Sequence, residues 1–152
     1  MRTLGNIIWH IPFCGFLSAL LAFLLGIIFI VTVIGAPIGF GLLQFSKFLL
    51  SPFSSAMVNK KDLNIQENNQ LWATFGFIAR IIYFPIGLIL IICTVFQLFG
   101  LFISIVGIPV ALVMAKSLGT YWNPVGKVCV PIAVQQELEQ RKDKEQVQKH
   151  LG

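Results

Sequence analysis

Carboxylates are scarce in this chain, and none falls in its apolar parts. Asp62, Glu67, Glu137, Glu139, Asp143 and Glu145 are the only acidic residues among 152. Intramembrane aspartyl hydrolysis, proton relays through buried carboxylates and oxygen-ligated cation sites therefore lack their usual side chains. The three cysteines, Cys14, Cys93 and Cys129, are odd in number and widely spaced. That excludes a disulfide framework and a paired metal site, and leaves them as small apolar residues. No glycine-rich phosphate loop follows a strand-like run. These absences predict a protein that is not an enzyme and uses no cofactor and no metal.

Charge of either sign is also short, at 11% of residues against 57% hydrophobic. Mean hydropathy is +0.85. A soluble domain of this size has too little interior to hide so much apolar surface. The placement is sharper than the amount. No Asp, Glu, Lys or Arg occurs from Thr3 to Ser46, a run of 44 residues, or from Ile81 to Ala115, a run of 35. Two membrane-embedded blocks follow. The apolar stretch after Met1-Arg2 is longer than the roughly 7–15 residues of a signal-peptide core and has no small-residue cleavage site, so it reads as a retained membrane segment.

Each block carries its own breaker. Gly35-Ala36-Pro37 interrupts the first and Gly107-Ile108-Pro109 the second, because proline removes a helical hydrogen bond and bends its predecessor away from helical geometry. If the chain turns back at each breaker, Arg2, Lys47, Lys60, Lys61, Arg80, Lys116, Lys127 and the tail share one face. The positive-inside rule favours that arrangement, with both termini cytoplasmic. Trp9, Trp72, Tyr121 and Trp122 would then form an aromatic belt at one interface. The returning arms are short: Ile38 to Ser51 is about 21 Å of helix. They are re-entrant, thin the bilayer strongly, or are completed by less regular chain after Pro52 and Pro124.

A shift of 72 residues places Gly15 on Gly87, Gly35 on Gly107, Pro37 on Pro109 and Pro52 on Pro124. The expected fold is an all-α integral membrane protein of two repeated helical hairpins, each broken at a Gly-x-Pro, with a polar helical tail. Its parts are a first hairpin over 1–58, a polar linker over 59–72, a second hairpin over 73–130 and a tail over 131–152.

The opening Met1-Arg2-Thr3-Leu4, the run Gly107-Ile108-Pro109-Val110, Lys116 and Trp122-Asn123-Pro124-Val125-Gly126-Lys127 together resemble the YccF family of small bacterial inner-membrane proteins. That family is built from a duplicated inner-membrane component domain. The first copy matches at Gly35-Ala36-Pro37-Ile38-Gly39, Lys47 and Pro52-Phe53, and departs at Ser54, where glycine is expected. The resemblance covers about residues 1–130 and implies a multi-pass protein of the bacterial inner membrane. It brings no catalytic residue with it.

Lys47 and Lys116 lie in the returning arms, and two readings compete. They snorkel to anionic lipid headgroups, or they line an oligomeric pore in which basic charge without acidic partners favours anions. Gln44 occupies the repeat position of Lys116, and Arg80 and Lys127 complete the candidate pore or headgroup set. Gly35, Pro37, Gly39, Gly107 and Pro109 are tight turns or a constriction lined by free carbonyls. His10 beside Trp9 reads as interfacial, and Thr94 and Gln97 as hydrogen-bonding between helices. The tail holds four basic and four acidic residues over 135–149, a balance that argues against nucleic-acid binding. Two functions are carried forward. One is a small homo-oligomeric channel or pore, in its sharper form selective for anions; the other is a structural or regulatory membrane subunit that recruits a cytoplasmic protein through its loop and tail.

Overall fold

The structure is a computed structural model that describes residues 2–11, 14–65 and 70–151. Six helices and one two-stranded sheet follow in the order α1 Arg2–His10, α2 Gly15–Val31, α3 Ala36–Leu50, β1 Ser55–Asn59, α4 Gln70–Ile103, α5 Ile108–Trp122, β2 Lys127–Pro131 and α6 Ile132–Leu151. Single 3-10 turns cover Lys60–Leu63 and Ile105–Gly107. Pro37 and Pro109 each fall in the first turn of the helix they open, α3 and α5. There a missing N–H is no loss and the fixed φ suits the helix, so each breaker ends one helix and starts the next.

Helix α2 buries only Gly15, Ala19, Ala22 and Gly26. These small residues recur at helical spacing; Gly15 lies against the Trp9 indole and Gly26 against Gly39 and Leu43 of α3. The large apolar side chains of α2, among them Phe16, Leu20, Phe23, Leu24 and Ile28, point outward and are exposed. Small inside and large outside is the pattern of a helix that packs on a neighbour within lipid. The crossing is close: a Cβ on Gly39 would meet the Gly26 carbonyl oxygen at 2.6 Å, and one on Gly26 would meet the Gly39 oxygen at 3.1 Å.

Helix α3 is the centre of the molecule, with nine of its fifteen residues buried. Phe45 and Leu49 join Trp9, Val110, Met114 and Tyr121 in the main core, and Phe45 meets Tyr121 edge-on at 4.5 Å. Ile38 and Leu42 join Ala79 and Tyr83 of α4 in a second core. By length and composition, Thr74–Ile103 and Ile105–Trp122 can cross a membrane; α3 is a shorter apolar helix.

The fold is helical as expected, with one addition: β1 and β2 pair antiparallel, Ser55 with Pro131, Met57 with Cys129 and Asn59 with Lys127. The segments after the buried Pro52 and Pro124, expected as irregular, satisfy their backbone by pairing with each other. The central pair, Met57 and Cys129, lies 72 residues apart, the same shift that superimposes the breakers. Gly126 sits at φ 73, a left-handed position that favours glycine. Ser54, its counterpart at that shift, is not among the described residues of positive φ, so glycine is not required there.

The aromatic belt is also corrected. Trp9 is fully buried, with its indole N–H donating to the Leu49 carbonyl at 2.8 Å, and Tyr121 is buried against Phe45. Trp122 is exposed and meets Phe84 edge-on at 5.3 Å. The side chain of Trp72 lies outside the described residues. Trp9 is drawn inward because α1 turns 80° from α2 and lies across the end of α3. Asn6 there donates to the Ser54 hydroxyl and accepts from the Phe53 N–H, and His10 Nε2 lies 2.8 Å from the Leu50 carbonyl.

Candidate functional site

The polar residues converge at one end, around the β1–β2 ribbon. Lys60 N–H donates to the Gly126 carbonyl and Ile132 N–H to the Ser54 carbonyl, which ties both loop and tail to the sheet. The 3-10 turn after β1 carries Asp62, whose carboxylate pairs with Lys142 of α6 at 2.8 Å. The Lys142 ammonium, with Asn59 donating as well, holds the Asp62 carboxyl below the usual carboxylate value. A cleft of about 170 Å³ runs between ribbon and tail, lined by Asn59, Asp62, Lys127, Gln135, Glu139 and Lys142 among others. Both signs of charge face it. Past Lys142, α6 projects away from the ribbon, and every residue from Glu139 to His150 is exposed.

The residues singled out from sequence are not gathered into one place. Lys47 on α3, Lys116 on α5 and Arg80 on α4 are all exposed on the outside of the single chain. Lys127 is half-buried in the ribbon cleft. Gln44 has an internal job, its side-chain oxygen accepting from the Cys129 N–H at 3.4 Å. Gly35, Pro37, Gly39 and Gly107 are buried, whereas Pro109 is exposed. At Gly107 a Cβ would run into the carbonyl of Leu101, and at Gly35 into the Phe29 carbonyl at 2.8 Å. Both glycines thus allow a close chain reversal. The Thr94 hydroxyl donates to Leu90 of its own helix at 2.7 Å.

A cavity of about 200 Å³ opens between the helices, lined by Ser18, Ala22, Leu90, Cys93, Gln97 and Tyr121 among others. Among the described residues, no three His, Cys, Asp or Glu side chains come together to hold a metal. Sequence reading missed the ribbon, the Asp62–Lys142 pair and the role of Gln44. The one available signal was the 72-residue shift, which places Ser55-Ala56-Met57-Val58-Asn59 on Lys127-Val128-Cys129-Val130-Pro131.

Residues 4–55 match the model of the YccF inner membrane component domain. No curated protein and no solved structure matches the chain. The domain match and the apolar helices make this an integral membrane protein.

Proposed function

From a chain that carries the YccF inner membrane component domain, we propose a non-enzymatic membrane subunit that holds a folded polar platform at the cytoplasmic surface and recruits a soluble protein there. The observation that carries this reading is the ribbon that joins the loop after α3 to the start of the tail, clamped by Asp62 and Lys142. A solvated loop and tail with no further task have no need of a sheet between them. The platform presents a mixed-charge cleft and a projecting helix, a surface suited to a protein partner of mixed charge. The exposed Lys47, Arg80 and Lys116 would meet anionic lipid headgroups. Tagged full-length protein, crosslinked in its own membranes, is compared with the chain lacking residues 135–152. Capture of a soluble partner by the first and not the second supports the reading; equal capture, or none by either, counts against it.

The channel is the second reading, favoured by two exposed lysines in apolar helices without a carboxylate beside them in sequence. Since both face outward, a pore would have to form between copies of the chain, with Lys47 and Lys116 on its wall and the turns as its narrow point. Conductance of reconstituted bilayers, wild type against the Lys47→Gln, Lys116→Gln double variant, decides it. Anion current lost in the double variant supports the pore, and silent wild-type bilayers end it.

A further inference from the structure

We propose that both helix-connecting turns, residues 32–35 and 104–107, end inside the hydrocarbon of the bilayer, so that lipid tails are their partner and each hairpin enters and leaves by the same face. The turns present apolar side chains and no charge. Val31 is 75% exposed, Val33 74%, Ile103 87% and Ile105 85%. A connection that reaches water is ordinarily polar, and an apolar cluster this exposed marks contact with something apolar.

In the first turn the backbone donors are paired internally, one of the demands that hydrocarbon makes. Thr32 N–H donates to Ile30, Val33 N–H to Ile30 at 3.1 Å, Ile34 N–H to Thr32 at 2.6 Å and Ala36 N–H to Val33 at 3.1 Å. Gly35 N–H donates to the Thr32 hydroxyl at 3.2 Å, which itself donates to the Phe29 carbonyl at 2.7 Å. The next residue is Pro37, which has no N–H. Val33 sits at φ 60, where glycine or asparagine would be less strained; the position is apolar regardless. In the second turn, Ser104 donates to Leu101 and Gly107 to Ser104.

The reach of the helices agrees. Lys47 lies about 17 Å along α3 from Ala36, at 1.5 Å per residue. Lys116 lies about 18 Å from the start of the second turn, counting α5 and the 3-10 turn at about 2 Å per residue. With both ammonium groups at the headgroups, the turns stop well short of the far side of a hydrocarbon core of about 30 Å. Extending the lysine stems narrows the gap without closing it. Pushing the turns into water would draw two ammonium groups into hydrocarbon instead. Helix α4 is longer than the hairpin needs. Phe84 sits level with Trp122 at the base of α5, and the part of α4 before it, with exposed Arg80, continues beyond that end of the hairpin.

The proposal is independent of partner recruitment. In a background with Cys14, Cys93 and Cys129 replaced by Ala, single cysteines are introduced as Ile34→Cys, Val106→Cys and Lys61→Cys. In intact vesicles of both orientations, an impermeant maleimide should label the Lys61→Cys protein from one side only, and the two turn variants from neither until detergent is added. A fluorophore attached to the turn cysteines in detergent, then reconstituted, should be quenched more by spin labels deep in the acyl chains than by headgroup labels. Labelling of either turn from the face opposite Lys61→Cys overturns the proposal. So does a failure of lipid-borne labels to quench, which would mean that protein and not lipid covers the turns.

Discussion

Gly41→Ala tests whether α3 is seated on the second half of the chain. A Cβ on Gly41 would run into the Pro124 carbonyl oxygen, with the carbonyl carbon at 2.6 Å and the proline Cβ at 3.0 Å. Two of those atoms are backbone, so they cannot rotate away. Overpacking of this kind costs about 1–3 kcal/mol, and a backbone obstacle puts the cost at the upper end. Replacing a helical glycine by alanine returns up to about 1 kcal/mol of helix propensity. The expected net loss is about 1–2 kcal/mol. Gly100→Ala and Gly119→Ala are the controls, because nothing lies within 4 Å of a Cβ at either position. They keep the propensity gain and are expected to stabilise. Thermal unfolding in mild detergent, followed by far-ultraviolet circular dichroism, should separate Gly41→Ala from Gly119→Ala by about 5–10 °C, at about 2–4 °C per kcal/mol for a chain of this length. If Gly41→Ala unfolds at or above the Gly119→Ala protein, α3 does not rest on Pro124, and the contact between the two halves has been misplaced.

Trp9→Phe leaves the Leu49 carbonyl without its indole donor inside the core. A loss of about 1–3 kcal/mol should appear in the same melt, with earlier proteolysis near residue 11; an unchanged melt would remove Trp9 from the core. Asp62 has a depressed carboxyl in the folded chain, so its contribution is present above the ordinary value of 3.8 and disappears as pH falls through the folded value. Protease protection of α6 should therefore hold from neutral pH down toward 3.8 and fall away in stronger acid, whereas Asp62→Asn should be weakly protected throughout; equal protection of the two at neutral pH would show that the pair does not hold the tail. Burial pushes the Cys129 thiol above its ordinary 9.0, and Lys47 opposes the shift. With Cys14 and Cys93 replaced by Ala, alkylation of Cys129 should be slow near pH 8 and slower still with Lys47→Gln. Faster alkylation after that change would refute the proximity.

Much of the fold is legible along the chain because its signals are local. The charge-free runs, Pro37 and Pro109 opening helices, and the polar spacing of α6 each depend on neighbours within a turn or two. The ribbon is a different case. Ser55–Asn59 and Lys127–Pro131 are five residues each, too short to show a period, and each is a strand only because the other pairs with it. Trp9 misled for a related reason. A tryptophan near an apolar run is as suited to a membrane interface as to a core, and only the fold of α1 across the end of α3 chooses between them.

The candidate site divides the same way. Lys47, Arg80 and Lys116 could be singled out because a charge near apolar sequence is visible without a structure. Asp62 and Lys142 could not, since each is an ordinary polar residue until the ribbon brings loop and tail together.

The sequence by itself determined that the chain lives in a membrane, where it breaks and where its charge gathers, because partition into lipid and helix termination depend on residue type and local order. Tertiary structure alone decided that Gly26 of α2 lies against Gly39 of α3, that Gly41 meets Pro124 and that Met57 pairs with Cys129. Those facts concern residues far apart in the chain, and a contact of that kind is set by the shape of both surfaces together.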